Sequence, residues 1–307
     1  MAVQFTNGQN RIAEEVSFKS GNETLTGILV KPHNGENMPA VVFQQGSGNH
    51  SFEGYENEAW GPHKFYLEDV LLEQGYAVLY CNKRGLGGST GNWRKNDFYG
   101  RADDAYAAVE YLKSLPEIDD DRIGVSGHSQ GGWIAQIVAA KHDDIAFIIC
   151  LAGPTVGVKE QIYSHDRFQY ACEGYEGEKL EKKIQKRRKS LDKSYNLGKN
   201  SGIVGAAKHL YLIFDYDNDE ILKSISCPTL LLFAEYDINV DPKENIDHLN
   251  LIFEDQVPSN FQIRTMPKGQ HGFYKVENRC IPWEEAEKND FDSDFQNQIR
   301  EWVEKLN

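Results

Sequence analysis

Six runs of strand length, most of them continuously apolar and separated by segments of helical periodicity, limit what this chain can fold into. They are Ala40–Gln44, Ala77–Tyr80, Ile123–Ser126, Ala146–Leu151, Thr229–Ala234 and Phe261–Met266. Runs without polar alternation suit strands buried on both faces, the situation of a parallel sheet covered by helices. The intervening helical patterns are Phe65–Glu73, Asp103–Leu115, Gly131–Lys141 and Lys243–Ile252. Ala105, Val109 and Leu112 share one face of the second, and Pro116 ends it. A last helix places Phe295, Ile299, Trp302 and Leu306 in one stripe. Ahead of all these, Glu15–Lys19 and Thr24–Val30 alternate with period two around Ser20-Gly21-Asn22-Glu23, which reads as an antiparallel hairpin. The expected architecture is α/β: an eight-stranded, mostly parallel sheet with a leading antiparallel hairpin and helices on both faces.

One segment interrupts the alternation. From Pro154 to about Ser224 no strand pattern occurs, and the length exceeds that of a plain loop in a compact domain. It reads as an inserted helical cap, 154–224, with the core formed by 1–153 and 225–307. Tyr163, Phe168, Tyr170 and Tyr175 give it an aromatic character, and Lys179–Lys193 is basic. Leu180, Ile184 and Leu191 sit at helical spacing within that run, so it reads first as a solvated helix face, with docking against the acidic body or nucleic-acid binding as alternatives. There is no internal repeat or low-complexity tract.

The 307 residues are 40% hydrophobic and 26% charged, which excludes disordered, collagenous and coiled-coil classes. A net charge of −14 disfavours nucleic acid and anionic membrane surfaces as partners. Cys81, Cys150, Cys172, Cys227 and Cys280 are widely spaced, with no C-x-x-C pair, so neither a disulfide framework nor a zinc site is expected. Cys150 lies in an apolar run, where cysteine acts as a small hydrophobe. His33, His50, His63, His142, His165, His209 and His248 show no metal-ligand spacing. The N-terminal residues lack a basic, then apolar, leader pattern, and no apolar run reaches membrane-spanning length. A cytoplasmic, reducing setting is the expectation.

The chemistry is concentrated at Gly127-His128-Ser129-Gln130-Gly131, a G-x-S-x-G. The motif alone is weak, but a buried strand enters it and a helix leaves it, which is the context of a nucleophile elbow. Small flanking residues let the chain turn sharply, and the helix N-terminus favours developing negative charge. A serine hydroxyl needs an adjacent base, and the expected chain order is Ser, acid, His. Asp237, at the end of the Thr229–Ala234 run, is the expected acid, with Glu235 and Asp241 as rivals. His271, between glycines after the last strand, is the expected base; His128 is assigned a structural role. Two backbone N–H donors should bind the oxyanion: that of Gln130, and that of Ser47 in Gln45-Gly46-Ser47-Gly48-Asn49, with Gly46 as its alternative. Gly46, Trp133, Tyr163 and Phe168 are the expected pocket residues, and Trp133 reads equally as a core aromatic.

These residues resemble the α/β-hydrolase superfamily over nearly the whole chain, and most nearly bacterial serine esterases of its prolyl-oligopeptidase-like and bile-acid-CoA-thioesterase-like branch. The likeness is carried by the Ser129 elbow, by Asp237 with Val240, by Gln270-His271-Gly272-Phe273, and by Asn82-Lys83-Arg84-Gly85-Leu86-Gly87-Gly88-Ser89-Thr90-Gly91, which is similar to the family's D-x-R-G-x-G-x-S turn. Asn82 stands where the family usually has Asp, and Gln45 where His often precedes the glycine. The resemblance implies the α/β-hydrolase fold and hydrolysis of a small-molecule carboxylic ester through an acyl-enzyme, with no cofactor and no metal. A peptidase or amidase, a thioesterase or acyltransferase, and a ligand-binding receptor without turnover are the competing readings.

Overall fold

Alternation of side chains across the strands decides the layering, and in the computed structural model both faces of each central strand are dry. The structure describes residues 4–5, 11–33, 35–52, 67–200, 205–286 and 293–306. The strands are β1 (Gln4–Phe5), β2 (Arg11–Ser20), β3 (Glu23–Pro32), β4 (Met38–Gln44), β5 (Ala77–Cys81), β6 (Ile118–His128), β7 (Ile148–Leu151), β8 (Thr229–Ala234) and β9 (Phe261–Met266). Ala40, Val42, Leu79, Ile148, Cys150, Leu231 and Phe233 join one apolar cluster. Their neighbours Val41, Phe43, Val78, Ile149, Leu151, Leu230 and Leu232 join a second on the opposite face. This is the two-sided burial that continuous apolar runs require.

Helices cover each face. They are α1 (Asp69–Glu73), α2 (Phe98–Lys113), α3 (Gln130–Lys141), α4 (Val158–Cys172), α5 (Gly177–Asn200), α6 (Ala206–Ile213), α7 (Asp219–Lys223), α8 (Pro242–Ile252), α9 (Trp283–Ala286) and α10 (Ser293–Val303). α2, α3 and α8 close the first cluster through Ala105, Val109, Ile134, Val138 and Leu249. α1 and α10 close the second through Val70, Leu71, Phe295, Ile299 and Trp302. Asp97 caps α2 by accepting from the Gly100 N–H, and Asp241 caps α8 by accepting from the Glu244 N–H ahead of Pro242. Of the expected helix 65–73, residues 65 and 66 lie outside the described residues, as do His63 and most of the N-terminal segment read for a leader.

The sheet order is β1-β2-β3-β5-β4-β6-β7-β8-β9. All eight expected strands form, and the two-residue β1 adds a ninth at the edge. β1, β2, β3 and β5 pair antiparallel in sequence, while β5, β4 and β6 through β9 run parallel. Chain order reverses between β4 and β6, so their carboxyl ends open a crevice between diverging connections. The register pairs Gln44 with Gly127, which sets the loop after β4 directly beside the elbow.

Between β7 and β8 the described residues hold α4, α5, α6 and α7 and no strand. The basic run of α5 is paired largely within this helical segment. Arg187 meets the buried Asp166, Arg188 lies over Tyr163, and Lys183 lies over Tyr170 and Tyr175. The expectation of a chain without disulfides is corrected: Cys172, the last residue of α4, is bonded to Cys280 in the segment after β9. The partners are separated by 108 positions, so no local spacing announces them. Only the folding of the helical segment across the carboxyl ends of the strands brings them together. Cys81 and Cys150 are buried thiols, and burial pushes the Cys150 thiol up to about 12. Among the described residues, no helix is long and apolar enough to cross a membrane.

α10 reaches the carboxyl edge of the sheet through a ring pair. Phe295 is fully buried and packs 4.1 Å, centroid to centroid, from Phe273, two residues beyond His271. Phe295→Ala is therefore expected to cost about 3–5 kcal/mol of stability. Urea unfolding checks this, and a loss below about 1 kcal/mol would mean that the C-terminal helix does not brace that loop.

Candidate active site

Ser129 makes the strand-to-helix turn on its own. β6 ends at His128, α3 begins at Gln130, and Ser129 holds φ 54° and ψ −123°, a region that a residue with a side chain enters only under constraint. Its N–H donates to the Leu151 carbonyl at 2.9 Å, and its own carbonyl accepts from the Gly132 N–H at 2.8 Å. The turn is too tight for side chains on either flank. A Cβ at Gly127 would lie 2.0 Å from the Gly131 oxygen, and one at Gly131 would lie 2.1 Å from the Gln44 oxygen.

Asp237 follows β8 and is completely buried. One carboxylate oxygen, Oδ1, accepts from the N–H groups of Asn239 at 2.7 Å and Val240 at 2.9 Å. The other, Oδ2, lies 2.7 Å from His271 Nδ1. A carboxylate can only accept, so His271 Nδ1 carries the proton and Nε2 is left as the basic nitrogen. The rival acids are used elsewhere. Glu235 accepts from the Lys268 N–H, and Asp241 caps α8 while facing Arg279.

The elbow and the histidine loop are joined through His128. Its Nε2–H donates to the backbone carbonyl of His271 at 3.0 Å, and the two rings lie 4.8 Å apart. The residue beside Ser129 thus holds the chain that presents His271. Gln270 adds to this by accepting from the Gly272 N–H through its side chain and from the Phe273 N–H through its carbonyl.

The loop after β4 completes the arrangement. A Cβ built on Gly46 would stand 3.2 Å from the Ser129 Cβ, so the backbone there runs close to Ser129 and leaves little room for a side chain. Two buried cations grip this loop. Lys83 Nζ donates to the carbonyls of Gly46 at 2.5 Å and Gly48 at 2.9 Å. Arg101 donates to the Gln45 carbonyl at 2.9 Å and to Gln130 Oε1 at 2.6 Å. Burial drives the Lys83 ammonium well below the usual lysine range, with Arg101 adding to the effect, and brings Arg101 down to about 10. Among the described residues, the N–H groups of Gly46, Ser47 and Gln130 donate to no protein acceptor.

The expected pocket aromatics differ in their surroundings. Trp133 is 3% exposed, stacks on Phe98 at 5.2 Å and donates to the Val156 carbonyl, so it is a core residue rather than a pocket wall. Tyr163 packs on Phe214 and under Arg188 within the helical segment. Phe168 lies under Arg279, which points back toward Asp241. Sequence reading also missed Lys83 and Arg101 as loop anchors. Lys83 sits in the quoted Asn82–Gly91 turn and could have been suspected. Arg101 lies on α2 with nothing local to mark it. The departure at Asn82 has a physical account: its amide donates to Thr26 Oγ1 and the Gly87 carbonyl while its oxygen accepts from the Phe52 N–H. An ionised Asp could not donate.

The sequence matches X-Pro dipeptidyl-peptidase (S15 family) over residues 23–237, more than half of the chain. The chain belongs to the S15 family. This is an α/β-hydrolase family, and the solved structures agree on the fold. Est1E from Butyrivibrio proteoclasticus, bound to ferulic acid, superposes with a TM-score of 0.63 at 17% identity, covering 95% of this chain and 98% of that one. An esterase from Pyrococcus furiosus superposes with a TM-score of 0.62 at 18% identity, covering 95% and 91%. Among curated relatives, the esterase EstD of Thermotoga maritima is 26% identical over 297 residues, which is 94% of this chain and 68% of EstD. Dipeptidyl-peptidase 5 of Porphyromonas gingivalis is 30% identical over 129 residues, only 40% of this chain and 18% of that protein.

Over the loop anchors, His209 of α6 meets the Trp93 ring edge to face at 5.0 Å. Burial, with Arg101, Lys83 and Arg94 nearby, lowers its pKa from 6.5 to about 4. Between those values the unfolded chain binds the proton and the folded chain does not. Stability therefore falls as pH drops from about 6.5 to about 4. After allowance for partial exposure, wild type should lose roughly 2 kcal/mol more than His209→Gln between pH 7 and pH 4. Urea titrations at the two pH values measure it, and equal losses would contradict a buried neutral imidazole.

Proposed function

We propose that this S15-family chain is a serine hydrolase that cleaves carboxylic esters of small or medium acyl groups through an acyl-enzyme. One observation supports the reading above others: a strained Ser129 at a helix N-terminus, joined through His128 to a His271 whose Nδ1 is held by the buried Asp237. In the proposed reaction Ser129 Oγ adds to the ester carbonyl and its proton passes to His271 Nε2. Asp237 holds the ring's tautomer and offsets the imidazolium charge. The carbonyl oxygen, now negative, is received by the N–H groups of Gln130 and Ser47. Collapse expels the alcohol with the proton from His271. Water, deprotonated by His271, then releases the acid.

Segment 154–224 is proposed as the cap that shapes the pocket over this edge, with 1–153 and 225–307 as the core. Tyr163 and Phe168 are its aromatic contribution in this proposal. The breadth of the EstD match supports an ester substrate. The S15 match supports a second reading, release of X-Pro dipeptides from peptides on the same three residues.

Hydrolysis of p-nitrophenyl esters of increasing chain length, alongside Gly-Pro-p-nitroanilide, tests both. Wild type should turn over the shorter esters and Ser129→Ala should fall to background. Asp237→Asn should lose roughly 10²- to 10⁴-fold in kcat, because it no longer holds the tautomer. Wild-type rates in Ser129→Ala would refute serine chemistry. Faster turnover of the anilide than of any ester would favour the peptidase.

A further inference from the structure

We infer that Lys83 is a positioning residue for oxyanion binding: with Arg101, it holds the carbonyls of the loop after β4 so that the opposed N–H groups face the reacting centre. The inference rests on the reading of Ser129 as nucleophile, and it adds a residue that the comparisons do not assign. A trans peptide unit sets its C=O and N–H in opposite directions. The Gly46 carbonyl points inward to Lys83 Nζ at 2.5 Å, so the N–H of the same unit, that of Ser47, points away from the interior. The Gln45 carbonyl points to Arg101 at 2.9 Å, which directs the Gly46 N–H likewise. This backbone runs close to Ser129, since a Cβ added at Gly46 would stand 3.2 Å from the Ser129 Cβ.

The clamp extends to both proposed donors. Arg101 also binds Gln130 Oε1 at 2.6 Å, tying the first residue of α3 to the loop opposite it. Lys83 takes a second carbonyl, that of Gly48, where φ is +95° and the chain reverses. A glycine-rich loop has little conformational preference of its own. Without these two donors its carbonyls would be free to rotate, and the N–H groups with them. Burying two cations is unfavourable unless their N–H groups find acceptors. Here the acceptors are the carbonyls whose direction governs catalysis. Lys83 has two of its hydrogens on carbonyl oxygens, so its part in the loop is that of a donor.

A positioning role predicts a specific kinetic pattern, because the aligned N–H groups matter most when the oxygen bears charge. The variants are Lys83→Met, which keeps the length but no donor, and Lys83→Gln, which keeps one. The measurements are kcat and KM on p-nitrophenyl acetate, inhibition by an aryl trifluoromethyl ketone, and labelling of the nucleophile by a fluorophosphonate. With the ketone, Ser129 Oγ bonds to the carbonyl carbon, the π pair moves to oxygen, and the hydroxyl proton goes to His271. The adduct therefore reports on oxyanion binding. Lys83→Met should lose about 10- to 100-fold in kcat with KM within about threefold, and should lose ketone affinity by a similar factor. Lys83→Gln should recover part of both.

If kcat and ketone affinity of Lys83→Met stay within threefold of wild type, the inference is overturned. A rise in KM at constant kcat overturns it as well, since that pattern means ground-state binding. Should Lys83→Met fail to melt cooperatively, Lys83→Gln is judged by the same criteria. Absence of fluorophosphonate labelling at Ser129 in wild type overturns the serine-hydrolase reading and the clamp together. Full labelling with unchanged kinetics in the variants overturns the clamp alone.

Discussion

Where β4 pairs with β6, Gln44 lies opposite Gly127, and the chain leaves the sheet from both strands at nearly the same height. One exit becomes the glycine-rich loop and the other becomes the Ser129 elbow. Their closeness follows from backbone pairing, so it is as rigid as the sheet. Gly131 shows how little room remains: any side chain there would collide with the Gln44 carbonyl. The strained φ and ψ of Ser129 persist because the Leu151 carbonyl and α3 hold the residue from both sides.

Onto this junction the rest of the carboxyl edge is assembled by polar contacts that cross between elements. His128 binds the His271 backbone, Asp237 binds the His271 ring, and Lys83 with Arg101 bind the loop carbonyls. Each is charged, ionisable or a buried backbone group, so each would be costly if its partner were absent. The interlocking gives a single geometry rather than a set of them. The helical segment joins the same edge, through Arg279 over Phe168 and through the Cys172–Cys280 bond just beyond the histidine loop.

Much of the fold was legible because parallel strands leave an unmistakable pattern. Thr229–Ala234 and Phe261–Met266 form with the bounds read from the sequence, the first as a short apolar run and the second as an alternating one, each closed by a polar turn. α2 begins earlier than expected, at Phe98, because the Asp97 cap outweighs the weak helical pattern of the following residues. β1 was not legible, for two residues show no period. Of the candidate site, Ser129, Asp237 and His271 could be singled out because each follows a recognisable strand, and the fold brings Asp237 to His271. Trp133 could not be assigned between core and pocket, because only its packing on Phe98 and Tyr216 decides that.

The sequence by itself determined the α/β layering and the chain order of the candidate site residues, because both depend on local periodicity and on residue type. Tertiary structure alone decided which distant groups meet. Arg101 is an ordinary helical arginine until α2 packs beneath the Gln45 carbonyl, and Cys172 finds Cys280 only when the helical segment crosses the sheet edge. Such pairings depend on the spatial coincidence of separate elements, and a linear pattern holds no record of the distance between them.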